Sequence, residues 1–145
     1  MDEIELMNSL VLSLRRRSAD WLRNFGITLP QFRLILLARH KGAITPSAAA
    51  EELSSDRPTA TLMARKCVSR GWLRRRRVDS DRRSVKLVLT GEGEELLDRI
   101  ERARLLSPTL SGDPFDALNS EERAAFRSAL ARVGARAAEL SGGGS

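Results

Sequence analysis

Apolar residues recur at three- and four-residue steps near both ends of the chain, which is the spacing of one face of an α-helix. The N-terminal stripe comprises Ile4, Met7, Val11, Leu14, Trp21 and Phe25, with Leu6, Leu10 and Leu22 beside it. The C-terminal stripe comprises Phe126, Leu130, Val133, Ala137 and Leu140. Gly26 is a natural stop for the first helix, and Asn119 with Glu122 matches a capping box for the last. The pattern predicts helices over residues 1–25 and 119–140.

Three shorter helices are predicted between these two, each from a cap residue followed by a proline in the first turn. The pairs are Thr28 with Pro30, Thr45 with Pro46, and Asp56 or Arg57 with Pro58. The third of these helices runs to Arg70, and Gly71 ends it in a left-handed position. Its inward face is predicted to hold Ala60, Met63, Ala64 and Cys67.

After Gly71 the apolar period changes from 3.6 to 2, which is typical of β-strands. Residues 72–78 and 84–89 are predicted to pair as a hairpin, with the polar turn 79–83 between them. Thr90 caps a further helix, and residues 106–118 are predicted to form a loop. The fold class is therefore mainly α, with one small antiparallel β-hairpin.

Basic charge is concentrated around this hairpin. The chain of 145 residues has a net charge of +6, yet eleven basic and two acidic residues between Arg57 and Lys86 give that stretch alone +9. Such a stretch is typical of a site for a polyanion. The N-terminus is acidic where a signal peptide would be basic, and Cys67 is the only cysteine. Both features predict a cytoplasmic protein, with no apolar run of membrane-spanning length.

Two short helices joined by a polar turn and followed by a basic hairpin form a winged helix-turn-helix. The major groove of DNA, about 12 Å wide, admits one helix, and a hairpin tip can reach the neighbouring minor groove. We therefore expect the helix over residues 58–70 to lie in the major groove and the hairpin, or wing, to lie beside it.

Residues 29–93 resemble the MarR family of bacterial regulators. The matching segments, in order, are Leu29–Phe32 with its Gln31, Ala49–Leu53, Ser69–Arg75, the wing Asp79–Ser84, and Leu87–Gly93. Each segment is weak alone, but their order and spacing over about 65 residues are specific. The first and last helices match the family's dimerisation elements in position and amphipathicity.

The resemblance implies roles for individual residues. Those implied to contact DNA are Arg57, Pro58, Thr59, Thr61, Leu62, Arg65, Lys66, Arg75, Arg77, Arg82 and Arg83. Arg82 or Arg83 would enter the minor groove, and Asp79 or Asp81 would form an ion pair that orients an arginine. A cleft near Trp21 and Phe25 is implied for a small aromatic or phenolic ligand, although both residues also fit a core or an interface.

No sequence motif indicates catalysis, a cofactor or a metal site, so the chain is predicted not to be an enzyme. Cys67 is interpreted as a buried small hydrophobic residue. The alternative is a redox-sensing thiol whose pKa is lowered by Arg65 and Lys66.

The sequence thus predicts four parts: a dimerisation helix (1–25), the DNA-binding lobe with its following helix (28–104), a second dimerisation helix (119–140), and a flexible tail (141–145). The predicted function is a homodimeric, sequence-specific regulator of transcription. It would bind a pseudo-palindromic operator in double-stranded DNA, act as a repressor, and be released by a small ligand. The alternative is an architectural or protein-interaction winged helix that binds DNA without sequence preference.

Overall fold

The computed structural model describes residues 1–78, 81–106 and 113–142. The chain divides into two compact units, Met1–Leu106 and Ser107–Ser145. The first unit contains, in order, α1 (Glu3–Leu22), a 3₁₀ turn (Arg23–Phe25), α2 (Leu29–Lys41), α3 (Pro46–Glu52), α4 (Arg57–Ser69), β1 (Leu73–Val78), β2 (Asp81–Leu89) and α5 (Gly91–Leu106). The second contains a 3₁₀ turn (Pro114–Ala117) and α6 (Ser120–Gly142).

The helices of the first unit begin where the cap residues predicted them. The hydroxyl oxygens of Thr28, Thr45 and Thr90 accept hydrogen bonds from the backbone three residues later, at 3.3, 3.1 and 3.0 Å respectively. The carboxylate of Asp56 caps α4 in the same way, at 2.8 Å from the backbone nitrogen of Thr59. Each cap satisfies an amide that the helix leaves unpaired, so these helix starts are determined locally.

The hairpin is longer than its sequence pattern predicted. β1 and β2 pair in regular antiparallel register from Leu73↔Leu89 to Arg77↔Val85. The next pair is Val78↔Asp81, which leaves residues 82–84 of β2 between the two pairs. The predicted turn over 79–83 is therefore wrong at its C-terminal end, because the strand already begins at Asp81. An irregular ladder has no strict alternation of apolar residues, so the pattern missed its first residues.

A third extended segment widens the base of the wing. Ile44 exchanges two backbone hydrogen bonds with Leu87, at 3.0 and 2.7 Å. The sequence pattern predicted no pairing between these two residues. The bridge fixes the α2–α3 connection against the hairpin, so the two helices that precede α4 are tied to the wing.

The core lies between the helices and the base of the hairpin. Its members are Leu22, Ile27, Leu34, Ile35, Ala38, Ile44, Ala49, Ala64, Cys67, Trp72, Leu73, Leu87, Leu96, Leu97 and Ile100. The predicted inward face of α4 is confirmed, since Ala60, Ala64 and Cys67 are buried and Met63 packs against the core. The opposite face of α4 is largely exposed to solvent.

A cluster around an ion pair organises the start of the second unit. Asp113 caps the 3₁₀ turn and pairs with Arg123 of α6. The guanidinium of Arg123 lies 5.6 Å from the ring centroid of Phe115, which is 5.7 Å from that of Phe126. Part of the predicted loop 106–118 is thus ordered as a 3₁₀ turn. Helix α6 extends to Gly142, two residues into the predicted tail, whereas residues 107–112 and 143–145 lie outside the described residues.

Candidate nucleic-acid interface

The outward face of α4 carries the residues that the sequence assigned to DNA. Arg57, Pro58, Thr59, Leu62, Arg65 and Lys66 are exposed, and Thr61 is half-buried. Residues four apart in a helix lie on one face, so Arg57, Thr61 and Arg65 form one row and Pro58 and Leu62 form a second beside it. These five residues line an open depression of about 380 Å³, called here the α4 depression.

Asp56 changes the chemistry available at the first turn of α4. Its two carboxylate oxygens accept hydrogen bonds from the backbone nitrogen and from the hydroxyl of Thr59, both at 2.8 Å. The backbone hydrogen bond and then the hydroxyl bond hold the pKa of Asp56 below its usual value of 3.8. The Thr59 hydroxyl proton is therefore already engaged, leaving this side chain its methyl group and oxygen lone pairs. From the sequence, Asp56 is recognisable only as a possible helix start.

The arginines of the wing divide between the two faces of the hairpin. Residues 74–77 are all exposed. Because strand side chains alternate, Arg75 and Arg77 share a face with Leu73, whereas Arg74 and Arg76 point to the other. The backbones of Arg82 and Arg83 lie in the irregular part of β2. Asp79 lies outside the described residues and Asp81 is described only as the first residue of β2, so the ion pair assigned to them stays a prediction.

Arg70 belongs to the basic stretch in sequence but has a different setting in the structure. Its guanidinium lies 4.6 Å from the ring centroid of Trp72. It also adjoins Gly26, where an added Cβ would be 3.3 Å from its Nη2 atom. Gly26 has the left-handed φ of 68° that favours glycine. The Arg70 side chain therefore packs between Trp72 and the turn that follows α1. Helix periodicity could not predict this contact.

The aromatic residues proposed for a ligand cleft contact each other. The rings of Trp21 and Phe25 meet edge to face with centroids 5.2 Å apart, and both pack against the core. The guanidinium of Arg99 lies 6.0 Å from the Phe25 centroid. The cation over this pair thus comes from α5. A ligand at this position stays a prediction.

Cys67 is fully buried, which confirms its interpretation as a core residue. Burial raises the pKa of the Cys67 thiol from 9.0 to about 11, against a smaller lowering by Arg70. The suggestion that Arg65 and Lys66 lower this pKa is wrong, because both project from the opposite, exposed face of the helix.

Native Cys67 should therefore react slowly with a thiol reagent. At pH 8 its thiolate fraction should be about 100-fold smaller than in the unfolded chain, and burial blocks access further. The thiol favours the folded state most below pH 9, and this contribution should be lost as the pH rises toward 11. Colorimetric thiol labelling with and without denaturant measures the difference, with Cys67→Ala as the blank. Equal labelling rates in both conditions would contradict this account.

Helices α3 and α4, followed by a two-stranded basic hairpin, define a winged helix-turn-helix protein. The model of the MarR family matches residues 27–85. The regulator PecS of Dickeya dadantii is 30% identical over 112 residues, covering 75% of this chain and 66% of PecS. The transcriptional repressor MprA of Escherichia coli K12 is 37% identical over 73 residues, covering 50% of this chain and 42% of MprA.

A solved structure of a mutant E. coli MarR complexed with operator DNA aligns with a TM-score of 0.78 and 26% identity. The alignment covers 89% of this chain and 91% of that one. The chain belongs to the MarR family of winged helix-turn-helix transcriptional regulators. The predicted family and fold class are thereby confirmed.

Three further findings accompany this assignment. PecS and MprA are both regulators, in agreement with the prediction that this chain is not an enzyme. Among residues 1–78, 81–106 and 113–142, no helix is long and apolar enough to cross a membrane. Within the same ranges, no three His, Cys, Asp or Glu side chains form a group that could hold a metal ion.

Proposed function

We propose that the protein is a homodimeric repressor that binds a pseudo-palindromic operator through α4 and the wing. The observation that carries this proposal is the exposed face of α4, where Arg57 and Arg65 flank Thr61 and Leu62. Guanidinium groups can bind phosphates or guanine edges, whereas threonine and leucine can contact base edges. A helix that carries both kinds of group is equipped to hold DNA and to distinguish sequences.

Dimerisation is supported by the apolar stripes of α1 and α6. Ile4, Met7 and Val11 of α1 lie on its predicted apolar stripe and are exposed. The same holds for Leu130 and Val133 of α6. Apolar stripes of this length are typical of helices that pack against a second chain. A two-fold symmetric dimer would place two copies of α4 in major grooves about 34 Å apart, one turn of DNA.

The wing adds positive charge beside the groove-reading helix. Arg75 and Arg77 are exposed on one face of the hairpin, and Arg82 and Arg83 follow in β2. The narrow minor groove has a strongly negative potential that attracts arginine. We infer that Arg82 or Arg83 enters this groove and that Asp79 or Asp81 orients it.

Release from DNA by a small aromatic or phenolic ligand is part of the proposal. The edge-to-face pair of Trp21 and Phe25, with Arg99 nearby, offers apolar surface together with a positive charge. Such surroundings suit an aromatic anion. The protein would act in the cytoplasm, where bacterial DNA lies.

The ratio of the affinities for operator and for scrambled DNA tests the proposal directly. The operator is selected from a pool of random duplexes, and the full-length protein is then titrated against the selected duplex and a scrambled one at the same salt concentration. A regulator of this kind should bind its operator about 10³-fold or more tightly than the scrambled duplex. A ratio near one would favour the architectural alternative.

The same titrations test the wing. Replacing both Arg82 and Arg83 by alanine should weaken binding to the two duplexes together and reduce the slope of log affinity against log salt. The expected reduction is about 0.9 per lost phosphate contact. The matched control replaces Arg15 and Arg16 of α1, which are exposed and change the net charge equally. An unchanged slope in the wing variant would place the wing off the DNA.

A further inference from the structure

We propose that the α4 depression recognises the 5-methyl group of a pyrimidine, so that each operator half-site carries a thymine whose methyl group contacts Leu62 and Pro58. This inference rests on the proposed function and names the chemical feature that α4 reads. It also implies that 5-methylcytosine can replace that thymine.

The α4 depression has an apolar centre. Pro58 and Leu62 are four residues apart on one face of α4, and both are exposed, Leu62 to 51%. Neither side chain can donate or accept a hydrogen bond, and half-buried Thr61 lies beside them. An apolar patch therefore occupies the centre of the helix face that the proposed function assigns to the major groove.

A base pair offers few apolar features to such a patch. Most features of a major-groove edge are hydrogen-bond donors or acceptors, and placing one against leucine and proline would leave it without a partner. The 5-methyl group of thymine is the apolar feature among them. A methyl group can thus be buried against Leu62 and Pro58 without losing a hydrogen bond to water, and it buries more apolar surface there than the C5–H of cytosine does.

The charges around the patch favour DNA as its occupant. Arg57 and Arg65 line the two ends of the same depression, four residues on either side of Thr61. They would attract the anionic duplex and hold the helix face against it. The Thr59 hydroxyl, by contrast, donates to Asp56, so base reading falls to the residues of the depression.

Base analogues that differ by one methyl group test this inference. In the selected operator, each thymine is replaced in turn by deoxyuridine, which lacks only the methyl group. At one symmetric position the wild-type affinity should fall about four-fold per half-site, the effect of one buried methyl group. A cytosine at that position should bind more weakly still, and 5-methylcytosine should recover part of the loss.

Two variants assign the effect to the depression. Leu62→Ala should bring the four-fold difference between the thymine and deoxyuridine operators close to one, because only the Pro58 contact remains, and the exposed position of Leu62 predicts an unchanged melting temperature. Lys66→Ala, on the same helix but outside the depression, should bind both operators more weakly and keep the four-fold difference.

The outcomes separate this inference from the proposed function. If the operator is preferred over scrambled DNA but no thymine is sensitive to deoxyuridine, methyl recognition is overturned and the regulator remains. The same follows if the difference persists in Leu62→Ala. If no sequence preference exists for the unmodified duplexes, the proposed function is overturned together with the inference.

Discussion

Replacing Val11 and Val133 by glutamate should convert the protein to a monomer and lower its affinity for a two-site operator at least 10²-fold. Val11 is 38% exposed on the α1 stripe and Val133 is 54% exposed on the α6 stripe. In a symmetric dimer each substitution introduces two carboxylates, and burying an unpaired charge is far more costly than leaving it in water. Loss of the second half-site then removes the bivalent gain in affinity.

Sedimentation equilibrium and operator titration measure the two effects. Ser13→Glu is the matched control, because Ser13 is exposed and lies on the side of α1 opposite Val11. Substitution is a sharper test than removing the whole helix, since Leu22 of α1 belongs to the core of the first unit. If the double variant stays dimeric at the concentrations at which the wild-type protein is dimeric, these stripes are not in the interface.

Gly93→Ala should destabilise the first unit by about 1–3 kcal/mol, the usual cost of an overpacked site. Gly93 is buried in the first turn of α5, where an added Cβ would collide with the backbone carbonyl oxygen of Trp72 and the side chain of Leu89. The Trp72 carbonyl cannot move freely, because it accepts a hydrogen bond from the Thr90 backbone at 3.0 Å. Either the hairpin or α5 must shift.

Thermal unfolding should report this change as a melting temperature lower by about 3–10 °C. Gly91→Ala is the control two residues away, where an added Cβ meets no atom within 4 Å. Alanine there should leave stability unchanged or raise it by up to about 1 kcal/mol through helix propensity. Equal melting temperatures for the two variants would show that the Gly93 contact is not a tight one.

The sequence determined the local elements of this protein. Thr28, Thr45 and Thr90 cap helices as predicted, because a cap is formed with the backbone only three residues away. The inward and outward faces of α4 also followed from sequence, since helix period alone decides which residues share a face. The α4 residues that the family resemblance assigned to DNA lie on this outward face.

Tertiary structure decided the contacts between distant segments. The guanidinium of Arg39 in α2 forms salt bridges with two carboxylates of α5: its Nε atom lies 3.2 Å from Oε1 of Glu94, and its Nη2 atom lies 2.9 Å from Oδ1 of Asp98. The backbone of Ile44 pairs with that of Leu87. The pattern of either segment alone cannot predict such a contact, because the contact depends on how distant segments pack in the folded chain. Leu34 is fully buried because α2 contacts α1, α4, α5 and β2 on several sides, which the pattern of α2 alone does not predict.

At the candidate interface, too, sequence and tertiary structure determined different features. Charge and period identified α4 and the wing, but they could not show which side chains of the stretch are engaged within the protein. The structure separates them: Arg70 stacks on Trp72, and the Thr59 hydroxyl is engaged by Asp56. Arg57, Thr61, Leu62 and Arg65 are left lining one depression with Pro58. Sequence determines which groups a helix face carries, whereas packing determines which of them remain free to meet a partner.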